Sequence, residues 1–579
     1  MTTERWFTDH PPSERWPHYT RANAGEVLPT PASPLGQTYG FDHGVLPGFQ
    51  LGSTRTGFYE LDEYRAEPPE MCGFFGGYLY INLANVRMQA VRNPAVTIEQ
   101  LDTAFFGDHP DVPAYTPHPD DEKPHLQAAA DAHMQFVMTA TEWPELLEDR
   151  AAIAALRRSR PDLGSLTASE LLARAMELLP IISDLSDRHL VASSSSGIAP
   201  GMLAAVAAAL DEPTLPMRLL AGLGDVDSAA PSYAVWAMSR EIRASAELTA
   251  AFDEGVDELL GRLEASSSPD VATFLSHFGD FLRSYGSRGP NEWELSADTW
   301  ETDPSIALAA VDRVRLQDDD ASPERRVAGL SADRVVLADD VRQRLAQLGD
   351  AELAAMYEGA LVAGNMMVFR ERAKTNLIGA LHEARMAFRE MGRQCADAGQ
   401  IDDAAHVFML THDELEAFVA DPRSWRATLA ERARGWAHLW DLEPPFFIRD
   451  GEVPPLSTWE RRGGGGQSVA EVGTVLSGVA GSPGVVEGIA RIVTDPADPG
   501  DLGPGDIMVA PLTDPAWTPL FLAVDGVVVN VGGQISHAII VSRELGLPCV
   551  VSVTGATEML SDGARIRVDG TTGEVTVLG

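Results

Sequence analysis

The sequence predicts a multidomain α+β protein, in which a large and mostly helical N-terminal body is tethered to a small unit rich in strands. Three observations predict this arrangement. The 579 residues exceed the roughly 100–200 residues of one ordinary domain. Four consecutive glycines at positions 463–466 predict a flexible segment, because glycine has no side chain to bury and loses much backbone entropy when it is held in one conformation. Helical periodicity dominates before these glycines, and short β-branched runs dominate after them.

The N-terminal body, residues 1–458, contains two regions that differ in composition and periodicity. Residues 1 to about 125 are rich in proline, glycine and aromatic residues, which predicts irregular structure and short strands, including one in the apolar run at 73–81. From about residue 126 to 440, apolar residues recur at three- and four-residue spacing. The stretches LTASELLARAMELLPIISDL and NLIGALHEARMAFREMGRQCADAG show this spacing and predict helices.

The C-terminal part is predicted to be a linker at residues 459–474 followed by a compact β/β/α domain at 475–579. The runs IMVA, GVVVN, CVVSV, RIRVDG and EVTVLG are bounded by Gly, Pro and Asp, which predicts strands. One helix is predicted from His537 to Leu545, with Ser536 as its N-cap and Gly546 as its stop signal.

Composition excludes several classes of function. The 44 Lys and Arg residues against 85 Asp and Glu residues give a net charge of −41, which repels a nucleic-acid backbone. No segment approaches the roughly 20 apolar residues of a membrane span, and the first residues lack the apolar core of a signal peptide. The three cysteines lie far apart without metal-ligand spacing. We therefore expect a cytoplasmic protein with reduced thiols and no tightly bound metal or cofactor.

The most informative position is His537, which follows the Gly532-Gly533 turn and begins the predicted helix. Unpaired N–H groups and the positive end of the helix dipole stabilise an anion there and disfavour an imidazolium ion. A neutral imidazole has a free ring nitrogen that can attack phosphorus. The sequence therefore predicts a histidine that is transiently phosphorylated, with the phosphate facing backbone donors and the Ser536 hydroxyl. The alternative is that His537 only packs or caps the helix.

The stretch GGQISHAIIVSRELGLP, residues 532–548, resembles the phosphohistidine motif of PEP-utilising enzymes, a group that includes phosphoenolpyruvate synthase, pyruvate phosphate dikinase and rifampicin phosphotransferase. GSPG at 481–484, PGDI at 504–507, LTDPAWTPL at 512–520 and VDG at 568–570 continue the resemblance in order. The resemblance implies a swivelling phosphohistidine domain.

The body resembles the drug-binding domain of rifampicin phosphotransferase through TRANAGEV at 20–27, YGSRGP at 285–290 and FRER at 369–372. It departs from that pattern at Ser287, where the family commonly has a histidine. No ATP-grasp nucleotide-binding domain is recognisable, and the layout is similar to split systems such as phenylphosphate synthase. The resemblance thus implies that a separate ATP-grasp subunit binds ATP with Mg²⁺.

A phosphotransferase mechanism follows from the resemblance. A phosphoryl group would pass from the partner to His537 and then to a hydroxyl of a small organic acceptor bound by the body, with Glu292 or a neighbouring acid taking the proton. The candidate phosphate-binding or orienting residues are Ser536, Gly532, Gly533, Thr513, Arg543, Arg288, Arg370 and Arg372. The candidate apolar acceptor residues are Phe74, Phe75, Tyr78, Trp236, Met366 and Met367.

Two alternatives stay open at this point. Phosphorylation could activate the hydroxyl as a leaving group for a later carboxylation, elimination or rearrangement. The protein could also be a phosphorylatable carrier or regulator that has no small-molecule substrate of its own. Neither the acceptor nor the choice between ATP and PEP as the ultimate donor follows from the sequence.

Overall fold

A computed structural model describes residues 4–64, 70–93, 96–106, 109, 111–224, 226–227, 229–462, 469–533 and 536–579. Its helical body is followed by a C-terminal unit built on a mixed sheet, as predicted for a multidomain α+β protein. The body also contains a π-helix at Gly36–Val45 and short 3₁₀ segments. These 3₁₀ segments are Leu61–Glu63, Pro124–Leu126, Leu163–Ser165, Asp319–Ala321, Ala404–Met409, His412–Glu414 and Leu456–Thr458.

The α-helices of the body are numbered in chain order. They are α1 (Ala24–Val27), α2 (Leu46–Arg55), α3 (Ala84–Val91), α4 (Ile98–Phe106), α5 (Gln127–Thr139), α6 (Pro144–Arg158), α7 (Ala168–Ser195), α8 (Ile198–Leu210), α9 (Leu215–Leu219), α10 (Ala230–Ala244), α11 (Ala246–Asp253), α12 (Leu259–Glu264), α13 (Pro269–Tyr285), α14 (Pro304–Val314), α15 (Pro323–Leu348), α16 (Ala351–Ala363), α17 (Asn365–Asp397), α18 (Leu415–Ala420) and α19 (Pro422–Leu439).

The centre of the body is formed by α7 and α17, which pack against each other and contain the two stretches with predicted helical periodicity. A capping box in which Thr167 and Glu170 bond each other's backbone begins α7. By length and composition alone, the helical stretch Ala168–Leu210 could cross a membrane. Its buried side chains instead pack on α2 and α17, as those of a core helix in a soluble protein do.

The N-terminal part of the body is more helical than the sequence predicts. The predicted strand region is confirmed as β2 (Cys72–Phe75) and β3 (Tyr78–Asn82), which pair with β1 (Tyr19–Thr20) and β5 (Phe447–Ile448) in one antiparallel sheet. The glycine-containing helix α2 was not predicted. A Cβ atom on Gly48 would lie 2.0 Å from the carbonyl oxygen of Ser183. Here glycine permits close packing on α7, a tertiary effect that local propensity does not reveal.

The C-terminal unit is one eight-stranded sheet with the predicted helix on it. The strands run in the spatial order β7-β14-β13-β9-β10-β11-β12-β8, and neighbours from β9 to β12 are parallel. All five predicted strands are confirmed, and so is helix α20 (His537–Leu545), which ends at Gly546 in a left-handed conformation (φ 67°). The strands are β7 (Val475–Ser477), β8 (Val479–Ser482), β9 (Val485–Ile492), β10 (Asp506–Ala510), β11 (Gly526–Val529), β12 (Cys549–Val551), β13 (Arg565–Asp569) and β14 (Glu574–Val577). A short helix α21 (Ala556–Met559) also packs against β10 and β11.

The predicted linker is shorter than 459–474. At its start, β6 (Glu460–Arg461) pairs with β4 (Leu442–Glu443) in the body. At its end, the backbone N–H of Gly473 donates to Val577 of the sheet over 2.8 Å. Residues 463–468, with the four glycines, lie outside the described residues. The flexible tether therefore stays a prediction for that segment only.

The C-terminal unit is docked on the body through an apolar surface. The 3₁₀ segment Pro515–Ala523 is buried along its whole length and packs against α10 and α14. Polar bonds surround this surface. The carboxylate of Glu544 accepts the backbone N–H groups of Leu223 (3.0 Å) and Gly224 (3.3 Å). This docking brings the first turn of α20 to the body.

Candidate active site

His537 is the first residue of α20, immediately after the glycine turn that ends β11. Ser536 occupies the N-cap position, as predicted, but its side chain makes no capping hydrogen bond. The Ser536 hydroxyl is buried and has no partner among the described residues. A Cβ atom on Gly532 would lie 3.0 Å from that hydroxyl oxygen and 3.1 Å from Val551 Cβ, so an alanine at this position would press on both side chains.

The imidazole ring of His537 is held by a hydrogen bond at each nitrogen. Nδ1 lies 3.0 Å from Thr513 Oγ1 and Nε2 lies 2.9 Å from Thr518 Oγ1, while Phe521 meets the ring edge-on with centroids 5.9 Å apart. Thr513 was predicted to orient the phosphate site and lies in contact with the ring. Thr518 was missed, although it belongs to the same LTDPAWTPL motif. A neutral ring donates from one nitrogen and accepts at the other, so the two threonines fix its plane.

The surroundings keep this ring neutral. Burial lowers the pKa of His537 well below its usual value, and the positive charges of Lys374, Arg288 and Arg370 lower it further. All three cations belong to the body, whereas His537 belongs to the C-terminal unit. At neutral pH one ring nitrogen therefore keeps an unprotonated lone pair, which accepts a hydrogen bond from one of the two threonines, and the ring lies within reach of three positive charges of the body. This is the electrostatic arrangement that phosphoryl transfer requires.

The cations themselves form an ordered cluster. Both carboxylate oxygens of Glu292 accept from Arg288 Nη1, at 2.8 and 3.0 Å, and Lys374 Nζ lies 3.1 Å from Glu292 Oε1. The sequence prediction missed Lys374. The sequence feature that could have identified it is its position four residues after Arg370. Residues four apart share one helix face, and both lie in α17.

Glu292 does not suit the predicted role of proton acceptor. Burial opposes its charge, but Arg288 and Lys374 outweigh that effect and hold its pKa below the usual value. A carboxylate paired in this way is a weak base. Glu26, which was also missed, is in the opposite condition, since burial raises its pKa while it accepts the backbone N–H of Gly533 over 3.1 Å. The sequence feature that could have identified Glu26 is the TRANAGEV stretch in which it lies.

A second carboxylate joins the two units beside the ring. Asp514 accepts the backbone N–H of Asn291 over 2.7 Å, one residue before Glu292. Burial raises the pKa of Asp514 to about 7, and the nearby negative charge of Glu292 contributes in the same direction. Asp514 also accepts the N–H of Ala516, which starts the segment that carries Thr518. The docking contact and the ring-holding segment therefore share one side chain.

Two predicted phosphate ligands have other partners. Arg543 is buried within the C-terminal unit, where its Nε donates to the carbonyl of Gly481 over 2.8 Å. Arg372 Nε lies 3.5 Å from Asp227 in the body. Neither arginine is among the charges that lower the pKa of His537. Their phosphate-binding role therefore stays a prediction, since an arginine in a motif can serve packing as well as ligand binding.

The predicted apolar acceptor residues do not line one common site. They are buried in four separate hydrophobic clusters, because aromatic residues and methionines spread along a chain fill several cores. Phe74 lies in the first of these clusters, Trp236 in another, Met366 and Met367 in a third, and Phe75 and Tyr78 in a fourth.

Comparison with known proteins finds one matching range in the body and one in the C-terminal unit. Residues 189–371 match the family model described as the rifampicin phosphotransferase fourth domain. Residues 502–573 match the model of the PEP-utilising enzyme mobile domain, and this range contains His537, Thr513 and Thr518. Both matches support assignment of the chain to the PEP-utilising enzyme family.

Several curated members of this family are similar over part of their length. The chain is 33% identical to rifampicin phosphotransferase of Streptomyces sviceus over 302 residues and 30% identical to that of Bacillus subtilis over 301 residues. Each match covers 52% of this chain and 34% of the relative. The prodigiosin synthesizing transferase PigC of Serratia marcescens is 28% identical over 371 residues, covering 63% of this chain and 40% of the relative. The chain thus spans well under half the length of these relatives.

Proposed function

We propose that this protein is a phosphotransferase that carries a phosphoryl group on His537 and transfers it to a hydroxyl of a small organic acceptor. One observation supports this most directly. A neutral imidazole, held at both nitrogens by Thr513 and Thr518, is presented by the C-terminal unit to three cations of the body. A histidine that only packed a helix end would not require cations from another unit around it.

The transfer step can be assigned atom by atom. The bond between phosphorus and the His537 ring nitrogen breaks, and its electrons return to the imidazole. A new bond forms between phosphorus and the acceptor oxygen, whose proton goes to the carboxylate of Glu26. Burial raises the pKa of Glu26, so it is a better proton acceptor than the doubly paired Glu292. Arg370 and Lys374 neutralise the phosphoryl oxygens during transfer.

Charging of His537 would take place elsewhere. In the docked arrangement the ring faces the body, so the C-terminal unit would have to leave this surface to meet a phosphate donor. We propose that a separate ATP-grasp subunit binds ATP with Mg²⁺ and phosphorylates His537. The polar bonds of Glu26, Asp514 and Glu544 to backbone N–H groups would then be broken and re-formed in each cycle.

Two other functions would use the same histidine. The phosphorylated acceptor could be an activated intermediate for a later reaction, which leaves the transfer step unchanged. A carrier or regulator without its own substrate is the alternative of another class. The body argues against it, because it places three cations near the ring and a carboxylate of raised pKa on the turn that precedes it. A carrier would need only the C-terminal unit.

Labelling experiments test the proposal. The protein is incubated with a candidate ATP-grasp subunit, Mg²⁺ and either γ-labelled ATP or labelled PEP, and acid-labile phosphate is measured. We expect label in the wild-type protein and in a control variant of an exposed histidine, His438→Ala, and no label in His537→Ala. Acid-labile label that persists in His537→Ala would contradict the proposal. Label that moves only to another protein, and never to a small hydroxyl compound, would favour the regulator.

A further inference from the structure

Two buried ring nitrogens beside the cation cluster have no hydrogen-bond partner among the residues that the structure describes. They are Nδ1 of His189, which lies on α7, and Nε1 of Trp293. The two residues are only 6% and 4% exposed, and their ring centroids lie 5.6 Å apart. A buried polar atom without a partner costs about 1–3 kcal/mol, so two such atoms on adjacent rings indicate a place where a polar ligand group belongs.

The hydrogen-bonding characters of the two atoms are complementary. His189 makes a backbone hydrogen bond with Arg370 that favours the protonated ring, so its N–H donates to the Arg370 carbonyl. Burial and the charges of Arg370 and Lys374 nonetheless lower the pKa of His189 to about 3, which keeps the ring neutral. Its Nδ1 is therefore an acceptor, while the indole Nε1–H of Trp293 is a donor. One hydroxyl group can satisfy both, because it donates one hydrogen bond and accepts others.

Chain connections place this pair near the reacting histidine. Trp293 directly follows Glu292, which binds Lys374 and Arg288, and Asn291 contacts Asp514 of the C-terminal unit. His189 is bonded to the backbone of Arg370, whose positive charge lowers the pKa of His537. The charges of the same two residues, Arg370 and Lys374, thus act on both His189 and His537.

Aromatic rings surround the pair. The Phe41 ring is stacked on Trp293 with centroids 6.2 Å apart and an interplanar angle of 29°. The Phe49 ring lies 6.1 Å from that of His189. Flat rings around two isolated polar atoms suit a flat aromatic molecule that carries a polar group at its edge.

We propose that His189 and Trp293 form the distal part of the acceptor site and bind a second hydroxyl group of a planar aromatic acceptor. This inference rests on the proposed function, and it specifies the acceptor class. The hydroxyl donates to His189 Nδ1 and accepts from Trp293 Nε1. The hydroxyl that receives the phosphate lies at the other end of the molecule, between His537 and Glu26.

Binding of two matched probes to the full chain tests this inference without any phosphorylation. The probes are p,p′-biphenol and p-phenylphenol, which differ by one hydroxyl group, and binding is measured by isothermal titration calorimetry. We expect p,p′-biphenol to bind about 10-fold or more tightly, because a site with buried polar atoms discriminates against a ligand that leaves them unpaired. Trp293→Phe and His189→Phe should reduce this preference to about 2-fold or less.

Trp300→Phe is the matched control. Trp300 is also fully buried, and its Nε1 has no partner within the described part of the chain, but it stacks on Phe281 in a different cluster. This variant should keep the wild-type preference. The indole N–H signal of Trp293 should also move on addition of p,p′-biphenol in an NMR spectrum, with that of Trp300 unchanged. Equal binding of the two probes, no binding of either, or an undiminished preference in Trp293→Phe would overturn the inference. Labelling of His537 would be unaffected by any of these results.

Discussion

The backbone N–H of Gly533 donates to the carboxylate of Glu26 over 3.1 Å, although 507 positions separate the two residues in the sequence. The bond joins the glycine turn that precedes His537 to the first helix of the body. It occupies an N–H group of the kind that would bind the oxygens of a phosphohistidine. The same carboxylate lies close enough to Arg370 and Lys374 for their charges to lower its pKa, although burial raises it more.

Replacement of Glu26 by glutamine should separate charging from transfer. Glu26→Gln retains an oxygen that can accept from Gly533 but cannot take the acceptor proton at neutral pH. We expect His537 to be phosphorylated normally and the transfer to an acceptor hydroxyl to slow by about 10²–10⁴-fold, the usual contribution of a general base. Single-turnover decay of the labelled protein measures this rate. Glu247→Gln, at an exposed position, should behave as wild type. Equal decay rates in the two variants would exclude Glu26 as the base.

Removal of the Lys374 charge should raise the pKa of His537. After burial, the Lys374 charge is the first of the causes that lower this pKa, so a neutral side chain makes the imidazolium form easier to reach. In Lys374→Met we expect the NMR titration of the His537 ring to shift to higher pH and the transfer rate to fall by about 10²–10³-fold. Lys374→Arg should keep the low pKa.

The chain offers a matched control for this variant, because its other lysine, Lys123, binds Glu60 over 2.7 Å away from the cluster. Lys123→Met should leave the titration of His537 unchanged. An unchanged titration in Lys374→Met would show that the lysine charge does not reach the ring.

Docking of the C-terminal unit should depend on pH through Asp514. In the docked state burial raises the pKa of Asp514 from 3.8 to about 7, so docking takes up a proton. Docking should therefore be strongest at low pH and weaken as pH rises from about 4 to about 7. Energy transfer between dyes on the two units measures the docked fraction. Asp514→Asn should flatten this dependence, although Glu26 and Glu544, whose pKa values are also raised, keep part of it. The exposed Asp498→Asn should retain the full dependence.

Two glycine-to-alanine changes should affect stability in opposite directions. A Cβ on Gly48 would lie 2.0 Å from the Ser183 carbonyl oxygen, so Gly48→Ala must separate α2 from α7 and should lower the free energy of unfolding by about 1–3 kcal/mol or more. Gly201 lies exposed in α8, where a Cβ atom would have no described neighbour within 4 Å beyond the adjacent backbone of its own helix, so Gly201→Ala should raise stability by about 0.5–1 kcal/mol. Urea unfolding measures both. Equal effects would contradict the close packing of α2 on α7.

The sequence by itself determined the features that depend on neighbours in the chain. The strands around His537, the helix from His537 to Leu545 and the left-handed Gly546 follow from side-chain periodicity and backbone freedom, which are local properties. Thr513 could be assigned to the site because it lies in a recognisable motif. The family could be identified for the same reason.

Only the tertiary structure decided what surrounds the histidine ring. Lys374, Glu26 and Thr518 reach His537 or its turn from separate segments, and Asp514 joins the Thr518 segment to Asn291 of the body. The aromatic residues and methionines predicted as one pocket lie in four clusters. The charge state of each group depends on burial and on which ions lie beside it. Both burial and neighbouring charges depend on contacts between distant parts of the chain. A sequence pattern gives the residue types but not the distances between them.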